Sequence, residues 1–61
     1  MKFIGTFNHY DIYEYSKKEC IEYNLCYPCY GAFTPYADRT PIDEECSMND
    51  IEALIEWCEK N

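Results

Sequence analysis

The large apolar side chains of this sequence are more often aromatic than aliphatic, and that limits what it can fold into more than any motif does. Leu, Ile, Val and Phe together number eleven in 61 residues, a share below the roughly 20% at which high net charge begins to suggest disorder. Seven tyrosines, three phenylalanines and Trp57 offset that shortage, because each ring removes a large area from water while fixing few rotamers. A chain of 61 residues holds one domain, residues 1–61, near the lower size limit for a fold held by a hydrophobic core alone. The expectation is a folded domain whose core rests on rings, without a deep substrate pocket.

Lys2 to Phe7 and Tyr10 to Tyr15 are rich in β-formers and flank Asn8-His9, a two-residue turn candidate, so residues 2 to 15 read as a β-hairpin. Pairing Phe7 with Tyr10 puts Phe3, Gly5, Phe7, Tyr10 and Ile12 on one side, the expected core face, where Gly5 lets a helix come close. Ile4, Tyr13 and Tyr15 fall on the other side, which a single helix layer leaves to the middle segment, a second copy or a partner. Ser16 to Glu19 fits a capping box with Tyr15 placed to staple onto Cys20, predicting a short helix from Lys17 to about Tyr23 that Asn24 ends in a left-handed conformation. Tyr27 to Thr34 reads as a third strand, bent or at an edge where Pro28 enters it, and Thr34 to Glu45 reads as a loop. Ser47 and Asp50 match a second capping box, Cys46 is placed to staple onto Ile51, and Ile51, Leu54, Ile55 and Cys58 share one stripe, predicting a helix from Met48 to about Lys60. The predicted class is α+β: a small antiparallel sheet of about three strands, the N-terminal hairpin plus one, packed by the C-terminal helix, with a short helix between the second and third strands.

Charge is the second constraint. Residues 31 to 61 hold eight of the twelve acidic side chains and only two of the five basic ones, a formal −6 of the total −7. Such a field draws basic partners and repels nucleic acid and anionic membrane. A solubilising surface mixes signs, whereas Asp43 to Glu59 contains no Lys or Arg at all. The candidate partner-binding set is therefore Asp43, Glu44, Glu45, Asp50, Glu52, Glu56 and Glu59, with Tyr36 and Trp57 as ring anchors beside them. Two plainer readings stand next to it, that the charge only keeps a small protein soluble and that both rings complete the core.

Cys26-Tyr27-Pro28-Cys29 is the one segment resembling a metal or redox motif. Zinc needs two more ligands, from Cys20, Cys46, Cys58 or His9, and no second close pair supplies them. A thioredoxin-like thiolate needs a helix start at the pair, while Gly31 to Phe33 read as strand. Five cysteines are an odd count and Met1 to Phe7 does not look like a signal peptide, which points to reduced thiols and a cytoplasmic protein. Phosphate-binding glycine loops are absent, His9 lies in a predicted turn with no positioned partner, and five scattered basic residues do not support nucleic-acid binding. Neither catalysis nor a cofactor is expected.

In size and charge the chain resembles the small inhibitors that bacteriophages and mobile elements use against host nucleases, anti-CRISPR and anti-restriction proteins among them. The resemblance is one of class, carried by composition and not by a motif. It implies a module that occupies the basic, nucleic-acid-binding surface of a nucleic-acid-handling protein. The alternatives from the residues are a zinc-stabilised module using Cys26 and Cys29, and a structural homodimer joined through the tyrosine-rich sheet face.

Overall fold

In the computed structural model, which describes residues 1–61, β1 (Lys2–Phe7) and β2 (Tyr10–Glu14) form the expected antiparallel hairpin. Asn8 and His9 join them at φ of 46° and 74°, the pair of positive values that a type I′ turn requires. Phe7 pairs with Tyr10 as predicted, but a bulge between Phe3 and Gly5 leaves Ile4 unpaired and sets Phe3 opposite Tyr13. One extra residue is enough to move everything before it to the other face. Phe3 therefore stacks edge-on against Tyr13, with ring centres 5.4 Å apart, instead of joining Phe7 in the core.

Helix α1 (Lys17–Glu22) starts as its capping box predicts. The Glu19 amide donates to Ser16 Oγ at 3.1 Å, and the Ser16 amide donates to Glu19 Oε1 at 2.8 Å. Asn24 follows it at φ 60°. The third strand, β3, is shorter than its sequence suggests, covering Tyr30–Phe33, and the chain bends at Tyr27 and Pro28 before it, with a cis peptide between those two residues.

The larger correction concerns residues 46 to 48. They are a fourth strand, β4 (Cys46–Met48), with Cys46 opposite Ala32, Ser47 opposite Gly31 and Met48 opposite Tyr30. Ser47 is thus held in the sheet and does not cap a helix. Asp50 takes that role, accepting from the Glu52 amide at 3.0 Å, and helix α2 runs Ile51–Lys60. Sheet hydrogen bonds to β3 override a capping pattern that Ser47 and Asp50 both fit. The result is one four-stranded antiparallel sheet in the order β1-β2-β3-β4, packed by the C-terminal helix.

Both faces of the sheet are covered. On the first, Ile12 and Ala32 meet Leu54 and Cys58 of α2, all fully buried, with Phe7, Tyr10, Cys46, Ile51, Ile55 and Trp57 packed around them. On the second, Tyr15, Cys20, Cys29 and Phe33 form a separate core with Tyr13, Leu25 and Ala37 against it. The middle of the chain supplies that second layer. Gly5, expected to admit a helix, instead lies under the ring of Phe7, which a Cβ would meet at 3.2 Å. The glycine that does permit a close approach is Gly31: a Cβ there would come within 2.9 Å of Glu44 Oε2 and 3.0 Å of Tyr15 Oη.

Candidate functional site

Helix α2 turns Ile51, Leu54, Ile55 and Cys58 to the sheet, and its steps of about 100° per residue carry Glu52, Glu56 and Glu59 together on one flank. All three are exposed. Glu56 is paired within the helix, its carboxylate 2.7 Å from Lys60 Nζ, and that ammonium holds the Glu56 carboxyl below its usual range. Glu52 and Glu59 have no such partner. Asp50 remains exposed while capping the helix.

The acids before β4 divide differently. Asp43 and Glu45 are exposed, and no cation pairs with either. Glu44 turns inward and accepts the Tyr15 hydroxyl proton across 2.6 Å, a short bond of the kind a carboxylate makes. Burial and the Glu44 carboxylate push the Tyr15 phenol well above its ordinary range, so the bond keeps a neutral donor on a charged acceptor. Of the seven predicted acids, then, Asp43, Glu45, Glu52 and Glu59 present unpaired charge to solvent, Asp50 and Glu56 present charge already engaged, and Glu44 is structural.

The two predicted anchor rings also separate. Tyr36 is 99% exposed. Trp57 is half-buried, its ring centre 5.2 Å from that of Tyr10, and it lines an open hollow of about 270 Å³ with Met48, Ala53, Glu56 and Lys60. Basic groups gather elsewhere: Lys2 and Lys17 line a separate open hollow with Glu14, Ser16 and Tyr27, and Lys17 sits 5.3 Å from the Tyr27 ring centre.

Arg39, the basic residue just before the acidic segment, is withdrawn from the surface charge. Its guanidinium donates to Asp11 Oδ2 at 3.2 Å and to the carbonyls of Thr34 and Ala37, and lies 5.0 Å from the Tyr13 ring centre and 5.5 Å from that of Phe33. Nothing in the sequence marked it. Asn49 is another unmarked brace: its side-chain amide donates to the carbonyls of Cys26 at 2.9 Å and Pro28 at 2.7 Å, tying that bend to the start of α2. Ile42, 92% exposed, is a surface apolar residue the sequence reading missed; its signal is Thr40-Pro41, which repeats Thr34-Pro35 six residues on.

All five cysteines are unpaired thiols. Cys26 is exposed while Cys29 is buried, so the two side chains of the C-x-x-C pair face different surroundings. Desolvation raises the thiol pKa of Cys20, Cys29, Cys46 and Cys58, which keeps them protonated. No group of three or more His, Cys, Asp or Glu side chains is arranged to hold a metal ion, and no helix is long and apolar enough to cross a membrane. Tyr15, expected on the sheet face left to the middle segment, a second copy or a partner, is fully buried by the middle segment, and Tyr13 is half-buried beneath Arg39. No family model, curated protein or solved structure matches this chain.

Proposed function

We propose that this chain is a small acidic protein-binding module that occupies the basic, nucleic-acid-binding surface of a nucleic-acid-handling partner and inhibits it, in the manner of phage or mobile-element counter-defence proteins. One observation carries the reading: Asp43, Glu45, Glu52 and Glu59 stand exposed on a segment without a single Lys or Arg, and the neighbouring Arg39 spends its charge internally. A fixed fold that holds these carboxylates outward, with the one nearby ammonium, Lys60, engaged by Glu56, offers a basic groove what a phosphate backbone offers it.

The test is a tagged pull-down from nuclease-treated host lysate, washed at low and high salt and challenged with DNA. Recovery of a basic nucleic-acid enzyme that salt and DNA both displace is the expected result. Reversing Glu52 and Glu59 to lysine should weaken that capture at least tenfold, given coupling energies of about 1.5 kcal/mol or more for close interfacial charge pairs. Full retention by the reversed protein, or a partner indifferent to salt and DNA, overturns the reading.

A further inference from the structure

Two turns in the segment before β4 are built alike. Thr34-Pro35-Tyr36-Ala37 closes with the Ala37 amide donating to the Thr34 carbonyl at 3.1 Å, and Thr40-Pro41-Ile42-Asp43 closes with the Asp43 amide donating to the Thr40 carbonyl at 3.0 Å. Proline occupies the second position in each, where its ring sets the φ that the turn needs. A large apolar side chain occupies the third, and neither Tyr36 nor Ile42 has positive φ, which fits the type I form. The repeat has one consequence for the surface: Tyr36 and Ile42, 99% and 92% exposed, are the two most exposed large apolar side chains of the protein.

Single exposed apolar residues are ordinary. Here two recur at the same place in two copies of one turn, and the segment that carries them is fixed on both sides. Arg39, between the turns, binds the Thr34 and Ala37 carbonyls and Asp11. Glu44, after the second turn, binds Tyr15, and the Glu45 amide donates to the Ala32 carbonyl at 2.8 Å. The backbone ordering that docking a loop normally costs has therefore been met by folding. The exposed charges that the segment shows beside the two apolar tips are all negative, Asp38, Asp43 and Glu45, since Arg39 points inward.

We propose that the paired Thr-Pro turns are a preorganised two-pronged docking element, in which Tyr36 and Ile42 enter an apolar cleft on a protein whose rim carries lysine or arginine side chains facing Asp38 and Asp43. Charge selects this occupant. Carboxylates beside both tips oppose an anionic lipid surface or nucleic acid, and the net charge of −7 opposes a second copy of the chain. The proposal rests on the reading of the partner as a cationic protein, and adds the apolar contact that charge alone does not supply.

The experiment places the photoreactive residue p-benzoylphenylalanine at position 36, at position 42, or at exposed Ser47 on the edge strand as a control, in the full chain, and irradiates each in nuclease-treated host lysate. Positions 36 and 42 should crosslink to the same protein, at a peptide where apolar residues are flanked by Lys or Arg, and position 47 should not. The Tyr36→Ala/Ile42→Ala double variant should compete about thirtyfold less well than the unaltered chain, as loss of a binding hot spot implies, with its melting temperature unchanged because neither side chain is buried. No adduct at 36 or 42, equal labelling at 47, an adduct of the chain with itself, a crosslinked peptide without basic residues, or equal competition by the double variant overturns the proposal. If the double variant fails to compete while Glu52→Lys/Glu59→Lys competes fully, the docking element stands and the nucleic-acid-mimic reading falls. The converse result removes the docking element alone.

Discussion

The two faces of the sheet are closed by different means. On the first, α2 lays down a stripe of Ile51, Leu54, Ile55 and Cys58, and a side-chain hydrogen bond from Asn8 Nδ2 to the Cys58 carbonyl at 2.9 Å ties the hairpin turn to the end of the helix. On the second, a six-residue helix and an irregular segment are fastened by Tyr15 on Glu44, by Arg39 on Asp11, and by rings meeting edge to face, Tyr13 and Tyr15 each against Phe33. A chain poor in aliphatics can thus build a second layer from rings and loop, provided each buried polar tip is bonded. No buried side-chain nitrogen or oxygen lacks a partner. The difference teaches where sensitivity should lie: spread over many interchangeable contacts on the α2 face, concentrated in a few particular ones on the other.

The largest effect should come from removing the ring on which the second face converges. Phe33 is fully buried and touches Tyr13, Tyr15 and Arg39 at once, so Phe33→Ala should cost about 4 kcal/mol. Leu54→Ala, equally buried on the first face, should cost about 3 kcal/mol. Urea unfolding of both variants measures the gap. A greater loss for Leu54→Ala would break the contrast and make α2 the anchor of the whole fold.

Next comes the polar fastening itself. Tyr15→Phe keeps the ring but leaves the half-buried Glu44 carboxylate without its donor, a change expected to cost about 2 kcal/mol. It also carries a pH signature. Desolvation, above all, raises the Tyr15 phenol and the thiols of Cys20, Cys29, Cys46 and Cys58 above their ordinary values in the folded protein. Their contribution is therefore complete below about pH 9 and is lost as pH climbs past the unfolded values. Wild type and Tyr15→Phe should both weaken on alkalinisation, with the wild type falling more steeply above about pH 10, so the gap between them narrows. Urea midpoints at about pH 8 and about pH 11 check this, and a constant gap would remove the phenol from the account.

Legibility in the sequence followed the same division. Local chemistry was readable: Asn8-His9 as a hairpin turn, Ser16 and Glu19 as a capping box, Asn24 as a left-handed stop, and the α2 stripe. Pairing between distant segments was not. Nothing local reveals that Cys46 to Met48 lie beside β3, and the capping pattern at Ser47 pointed the other way because Asp50 caps equally well. The bulge at Ile4 was hidden too, since Phe3 and Ile4 are adjacent apolar residues and nothing local says which of them leaves the regular pairing. At the candidate site, composition located the acidic segment but could not show which carboxylates face water. Glu44 turns inward because Gly31, across the sheet, leaves room for it against Tyr15, a relation between three positions far apart in the chain.

The smallest effect tests whether the two faces loosen together. Helix α1 is too short to persist without its cap, since helix nucleation is costly and six residues add few hydrogen bonds. Ser16→Ala should cost about 1 kcal/mol. Amide exchange should then quicken at Cys20 and Leu25, whose protons are held by the carbonyls of Ser16 and Cys20, while Leu54, held by Asp50, stays protected. Acid should reproduce the effect. The Ser16 amide, with help from the Met1 amino group 3.1 Å away, holds the Glu19 carboxyl below its usual range, so its contribution is full above the ordinary glutamate pKa and is lost as pH falls through the lowered one. Glu19→Gln keeps the reciprocal hydrogen bond without the titration and should flatten that acid-side loss. If Leu54 exchange quickens alongside Cys20 in Ser16→Ala, the sheet transmits the damage and the faces form one cooperative unit. If it does not, the second layer is a separately opening cover on a core that α2 holds without it.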